Sequence, residues 1–263
     1  MGLAMELVGC YVTNPGGTLT ACTASPGDTL TVRSFAPSAT AWIEQLMRGG
    51  GTAGVARVRS PMLHDNVQGI RTANAAGQTA NLLLQQPSQA ITSQDTLVVE
   101  QTGGGAETDV AVIGNYYTDL TGASARLFMP GDIEPRVRYV LGYQVACSSS
   151  ATIGTWTDTL ITATQDTLHA NTDYAILGYT TDTAVVAVAV KNQDTSNLRV
   201  GGPGLVQPIE TRDYFEWLSR IMGTPHIPVI NSANKGSTYV SVIANTASVT
   251  TNVTLFLAEL RPA

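Results

Sequence analysis

The chain is predicted to be all-β with two short helices, arranged as a β-sandwich or barrel. Three observations carry that expectation. Short segments of alternating polarity recur at spacings near 8–12 residues and are separated by Gly- and Pro-bearing turns. The uncharged polar content is heavy in Thr, whose branched side chain suits a pleated surface. The regular alternation of helix and strand that a parallel sheet needs is missing.

Taken in order, "LVGCYVT" (7–13), "TLTACTA" (18–24) and "TLTVRSF" (29–35) read as strands. They are punctuated by "NPGG" and "SPGD", in which Gly and Pro supply the special backbone angles of tight turns. Ser38 is placed to cap a helix over "ATAWIEQLMR", with Gly49 ending it. Strand patterns resume at 54–60, 67–73, 79–85, 95–102 and 109–118, the last two joined by the loop "GGGAE". In the second half, 136–146, 155–164, 173–181, 183–191 and 196–200 read as strands, followed by the loop "GGPGLVQP". A second helix is expected over 211–222, and "HIPVIN", "TYVSVIAN" and "NVTLFLAEL" are closing strands.

The two helix words resemble each other: "AWIEQLMRGG" and "EWLSRIMGTP" place Trp42 and Trp217 175 positions apart. Flanking segments match in the same order, giving an internal repeat of 5–87 against 173–262, with 88–171 completing both units. The expected units are 1–125 and 126–263. Each helix offers an apolar stripe, Trp42, Ile43, Leu46 and Met47 in the first and Trp217, Leu218, Ile221 and Met222 in the second. Such a stripe is suited to stopper the open end of a barrel.

Composition narrows the function. Of 263 residues, 43% are hydrophobic but only 13% charged, about half the usual share, so the surface is largely uncharged or covered by neighbours. Net charge is −6 and the lysines are two, Lys191 and Lys235, so a basic nucleic-acid-binding face is not expected. No apolar run is long enough for a membrane span. Cys10, Cys22 and Cys147 are too few for a disulfide framework and read as buried free thiols, with a Cys10–Cys22 bridge as the alternative.

No catalytic, cofactor or metal site is expected. His64, His169 and His226 lie in no metal-binding frame, which counts against a cupin-like metalloenzyme. No Ser occupies a nucleophile elbow, and neither "GGG" nor "GGPG" continues as a phosphate loop. A glycosidase needs two opposed carboxylates, for which Asp158, Asp166, Asp173, Asp194 and Glu210 are the candidates, unpaired by sequence alone. The loop 191–197 has oxygen donors for calcium, though Asx turns explain it as well. An adhesin or carbohydrate-binding module would stack Trp156, Tyr116, Tyr117 or Tyr214 on sugar rings.

The segments "HANTDYAILGYTTDTAVVAVAVKNQDTSNLRVGGPG" and "TRDYFEWLSRIMGTPHIPVINSANKGSTYVSVIANTASVTTNVTLFLAEL" resemble bacteriophage virion structural proteins. With the repeat, the resemblance implies a tandem or double jelly-roll capsid protein. It further implies a non-enzymatic subunit that self-assembles into the shell or decorates it, as a homotrimer or larger symmetric assembly beside other virion proteins. Its place would be the virion, after synthesis in the host cytoplasm, with no cofactor. The alternative is the carbohydrate-binding β-sandwich.

Overall fold

A computed structural model describes residues 2–35, 40–63, 66–84, 91–92, 94–120, 125–204 and 213–262. Its strands form four antiparallel sheets, and no sheet mixes strands from before and after residue 125. The fold is an all-β sandwich architecture.

In the first set, one sheet orders β1 (Gly2–Thr13), β10 (Thr108–Leu120), β4 (Thr40–Gly49) and β7 (Thr79–Leu83). Short β3 (Thr23–Ala24) lies beyond β1, and β8 (Ile91–Thr92) pairs with β4. The second sheet orders β2 (Thr20–Ala21), β9 (Val98–Gln101), β5 (Gly54–Arg59) and β6 (Ile70–Asn74). Numbering the eight main strands along the chain, the sheets read 1-8-3-6 and 2-7-4-5.

The second set repeats this order. One sheet runs β12 (Val137–Ser148), β19 (Thr250–Leu260), β14 (Asp173–Thr181) and β17 (Ile227–Asn231), with β11 (Leu127–Phe128) beyond β17. The other runs β13 (Thr157–Leu160), β18 (Tyr239–Ile243), β15 (Ala187–Lys191) and β16 (Val200–Pro203). Again the sheets are 1-8-3-6 and 2-7-4-5. Eight strands so interleaved in two antiparallel sheets make a jelly roll. Two α-helices are described, α1 (Pro130–Ile133) and α2 (Tyr214–Met222).

The turns behave as their residues dictate. In "NPGG" and "SPGD", Gly16 and Gly27 take positive φ, 64° and 84°, where a side chain would be strained. The segment 18–24 bends at Cys22, so that β2 joins one sheet and β3 the other. The expected strand over 29–35 is reduced to a single bridge, Thr31 with Thr96.

The first expected helix is a correction: from Thr40 to Gly49 the chain is strand β4, and its supposed cap, Ser38, lies outside the described residues. The physical cause is a bulge. Against β10, Gln45 pairs with Gly114 and Ile43 with Asn115, leaving Glu44 as the extra residue. Ala41, Ile43 and Leu46 therefore enter the core of the first sandwich, while Met47 belongs to a separate cluster on the other face. One inserted residue converts a period of two into a spacing that imitates a helix.

The second helix is present, but its buried residues are Tyr214, Phe215, Leu218 and Ser219, while Trp217 is 45% exposed. Trp42 and Trp217 thus occupy unlike surroundings, one in a sheet and one on a helix. The repeat drawn through them is out of register with the strand order. It sets β1, first of its eight, against β14, third of its eight, whereas equal topological position sets β1 against β12.

Candidate functional site: the seam between the two sandwiches

The outer face of the β1–β10–β4 sheet is covered by the outer face of the β13–β18–β15–β16 sheet. Leu7, Met47, Val110 and Val112 from the first set pack with Val186, Ala187, Ala189, Ile243 and Trp156 from the second. The inward row of β15, Val188 and Val190, belongs instead to the main core. Burying each larger apolar side chain here contributes about 1.5–3 kcal/mol.

Small residues set the distance of approach. A Cβ on Gly49 would stand 2.4 Å from Val186 Cγ2, and one on Gly9 would stand 2.8 Å from both Ile243 Cδ1 and Trp156 Nε1. The backbone joins in as well, since Leu7 N donates to Arg199 O at 2.8 Å.

Polar groups bound the apolar centre. The Asp28 carboxylate accepts from Gly9 N (2.6 Å), Trp156 Nε1 (2.8 Å) and Arg199 Nη1 (2.7 Å). The Arg199 guanidinium lies 5.0 Å from the Trp156 ring centroid, a cation–π contact. Burial pushes the Asp28 carboxyl above its usual range, with Arg199 pulling it back. Ser25 Oγ donates to Gly154 O at 2.5 Å.

Beside the bulge, Glu44 Oε2 meets His226 Nε2 at 3.0 Å, and His226 Nδ1 faces Thr224 O at 2.8 Å. The Tyr116 ring stacks on this imidazole at 4.8 Å, and its hydroxyl donates to Pro225 O. Tyr214 OH donates to Gln45 Oε1 at 2.7 Å. Burial first, and the nearby Glu44 charge second, raise both tyrosine hydroxyls, so they remain neutral donors. Together these contacts join the two jelly rolls face to face.

The residues singled out by sequence fall into place around it. Of the four aromatics offered for sugar stacking, Tyr116, Tyr214 and Trp156 are in the seam, and Tyr117 donates to buried Glu6 at 3.0 Å. All are at most 7% exposed, so none can present its ring to a ligand. His226 is buried in the seam, His169 is bound to Glu259 at 2.8 Å, and His64 lies outside the described residues.

Among the described candidate carboxylates, Asp173 and Asp194 come together on Arg126, at 2.6 Å and 3.7 Å, as an ion-paired cluster. Asp158 takes Ser241 and Lys191, Asp166 takes Lys235, and Asp173 takes Arg126 and Asn231. Asp194 lies in the 191–197 loop and accepts from Asn231 N and Asn234 Nδ2, while Asn192 caps the turn through Thr195 N. This is the Asx geometry. Glu210 lies outside the described residues. Cys10, Cys22 and Cys147 are free thiols. Among the described residues no three His, Cys, Asp or Glu side chains gather as a metal would require, and no helix is long and apolar enough to cross a membrane.

Asp28, Glu44, Gln45 and Arg199 went unmarked by sequence reasoning. Their partners are 171 positions away for Asp28–Arg199 and 182 for Glu44–His226, with no local spacing to betray them.

No family model matches the chain, and no curated protein matches it. Among solved structures it is similar to the major capsid protein P2 from bacteriophage PM2, at 11% identity over 98% of both chains with a TM-score of 0.24. It is similar to the STIV MCP at 8% identity over 100% of this chain and 98% of that one, TM-score 0.22. The PBSX exported protein XepA is similar at 9% identity over 93% and 88%, TM-score 0.19. Superpositions this loose do not establish a common fold, and the strand order stands independently of them.

Proposed function

We propose that this chain is a non-enzymatic structural protein of a viral, specifically bacteriophage, shell: a double jelly-roll subunit that works by associating with copies of itself. The observation that carries the proposal is the doubled 1-8-3-6 and 2-7-4-5 strand order, held rigid by the seam. Jelly rolls serve chiefly as capsid, lectin and cupin domains. The lectin use loses the four aromatics named for it, because Trp156, Tyr116, Tyr117 and Tyr214 are buried. The cupin use needs clustered metal ligands inside one barrel, and the described residues supply no such cluster.

The two units are 1–125 and 126–263, each one jelly roll. Fusing two such bricks in one chain gives a wide block with few charges, suited to tiling because closely packed copies avoid like-charge repulsion. The assembly is a homotrimer or a larger symmetric one that joins other virion proteins in the virion after synthesis in the host cytoplasm, with no cofactor.

Light scattering and negative-stain microscopy of the purified protein test this. The expected result is trimers or larger regular particles. A strict monomer at high micromolar concentration across a range of salt would overturn it.

A further inference from the structure

We infer that the pocket between the β4–β10 sheet and the C-terminal end of α2 binds a small organic cation, an alkylated ammonium whose charge meets Glu44 and whose alkyl groups meet Trp42 and Met222. The cavity has a volume of about 250 Å³ and is lined by Trp42, Glu44, Tyr116, Thr118, Met222 and Thr224. None of these residues belongs to the apolar centre of the seam.

Strand pairing builds one wall. Trp42 stands across from Tyr116 and Thr40 across from Thr118, so alternation puts Trp42, Tyr116 and Thr118 on one face of the sheet. The bulge residue Glu44 borders the cavity beside them. The other wall comes from the second sandwich. There α2 ends at Met222, and Gly223, with φ 67°, turns the chain back so that Thr224 completes the lining.

Glu44 is the charged group at the bottom. Its side chain is 5% exposed, and Oε2 is held 3.0 Å from His226 Nε2. Oε1 has no hydrogen-bond donor among the described residues, although the carboxylate borders the cavity. A carboxylate oxygen left without a donor in a largely apolar cavity costs free energy until one reaches it. Tyr116 closes the wall behind, its ring stacked on His226 and without a free face. The partly exposed Trp42, Thr118, Met222 and Thr224 form the mouth.

The surroundings supply no competing cation. No Lys or Arg lines the cavity. Arg220 of α2 is bound to Glu216 and Glu134, at 2.8 Å and 2.6 Å. Asp119, next to Thr118, accepts from the Thr118 hydroxyl at 3.4 Å and has no Lys or Arg partner among the described residues, so it adds negative charge beside the lining.

The lining selects among cations. A calcium ion takes about six to eight oxygen ligands, and one carboxylate with two threonine hydroxyls falls short of them. An indole and a thioether instead suit the polarised methyl groups around an ammonium nitrogen, the indole being the most favourable ring for that contact. The volume lies just under the roughly 300–1,000 Å³ of pockets for drug-sized ligands, so the occupant is small. It is a free solute and not a lysine of a second copy, because both lysines of the chain are already bound, Lys191 to Asp158 and Lys235 to Asp166.

Calorimetric titration of the full-length protein with choline chloride at constant ionic strength tests this, beside choline's uncharged carbon isostere, in which a tert-butyl group replaces the trimethylammonium. Choline should fill one site per chain and bind at least about tenfold more tightly than the isostere. Glu44→Gln keeps the side chain's size and a hydrogen-bonding partner for His226, and should erase that preference. Met222→Lys places a resident ammonium at the mouth and should abolish choline binding, whereas Met222→Leu should bind it as wild type does. Circular dichroism verifies folding, and if Glu44→Gln does not fold, the two Met222 variants decide. Equal binding of choline and isostere, choline binding unchanged in folded Glu44→Gln or Met222→Lys, or no choline binding at all would overturn the assignment. Choline affinity that weakens at higher protein concentration would also overturn it, since an arginine of a second copy would then be the occupant.

Discussion

The pair Arg48–Asp109 in the first sandwich allows a stability prediction with its size worked out. Both side chains are 0% exposed, and Arg48 Nη2 lies 2.5 Å from Asp109 Oδ2. Arg48 also bonds to Asn74 and, at 2.7 Å, to Thr102 O. Yet Arg48 Nε and Asp109 Oδ1 find no hydrogen-bond partner among the described residues. A buried pair with unmet donors and acceptors does not recover its full desolvation cost. In keeping with this, burial drives the Asp109 carboxyl up from 3.8 to about 6 although Arg48 pulls it down.

Asp109→Leu alone strands a buried guanidinium and should cost about 3–5 kcal/mol, lowering Tm by roughly 10–15 °C. Arg48→Met with Asp109→Leu should be as stable as wild type at pH 7, or more so. The pH dependence follows with a definite sign. The folded carboxyl keeps its proton to higher pH than the unfolded one, so its stabilisation is full below about pH 4 and is lost as pH rises through about 6. The gap corresponds to about 3 kcal/mol. Wild type should therefore gain about that much on the double variant between pH 7 and pH 4, measured by urea unfolding at each pH. A single variant within about 1 kcal/mol of wild type, or a difference flat in pH, would refute the assignment.

Three further expectations follow from the structure. Tyr214→Phe leaves Gln45 Oε1 unpaired in the seam beside Gln45 Nε2, which has no partner among the described residues, and should cost about 1–3 kcal/mol; adding Gln45→Leu should restore most of it, as read by thermal melts. Burial opposes ionisation of Glu259, but donors on Tyr139, His169, Tyr174 and Arg138 outweigh it and hold the carboxyl below its usual range. Its stabilisation is therefore present above about pH 4.5 and lost as pH falls further, so Glu259→Gln should flatten the acid limb of the melting curve. The Cys10 and Cys147 thiols are both raised, Cys10 chiefly by a hydrogen bond with the Cys22 thiol and then by burial, Cys147 by burial to about 11. A disulfide reagent at pH 8 should accordingly titrate no more than one thiol per native chain and three after unfolding.

How far the sequence reveals this depends on where each strand lies. Strands with one covered face, such as β12 and β5, alternate visibly, and their turns carry Gly or Pro where the backbone demands it. Strand β4 misleads because it is covered on both faces and carries a bulge at Glu44, so its apolar residues fall at helical spacing. The tryptophans then misaligned the repeat, since Trp42 and Trp217 share a word but not a fold position. The seam was illegible for a different reason: Asp28, Glu44 and Gln45 meet Arg199, His226 and Tyr214 only after two sandwiches have formed and docked.

The contrast between topologically equal strands nevertheless holds information that neither strand holds alone. A sheet face covered within the chain must be apolar from synthesis onward, and β1, β10 and β15 are written so: the stretches 4–10, 109–117 and 185–190 are buried throughout. A face covered only on assembly must stay soluble first, so it has to be weakly polar or charged in a way a partner can match. The open face of β12 is neutral at Gly142, Gln144 and Ala146, and that of β5 carries Arg57 and Arg59. The charged share of 13% fits a chain in which one outer sheet face of each sandwich is buried in the seam.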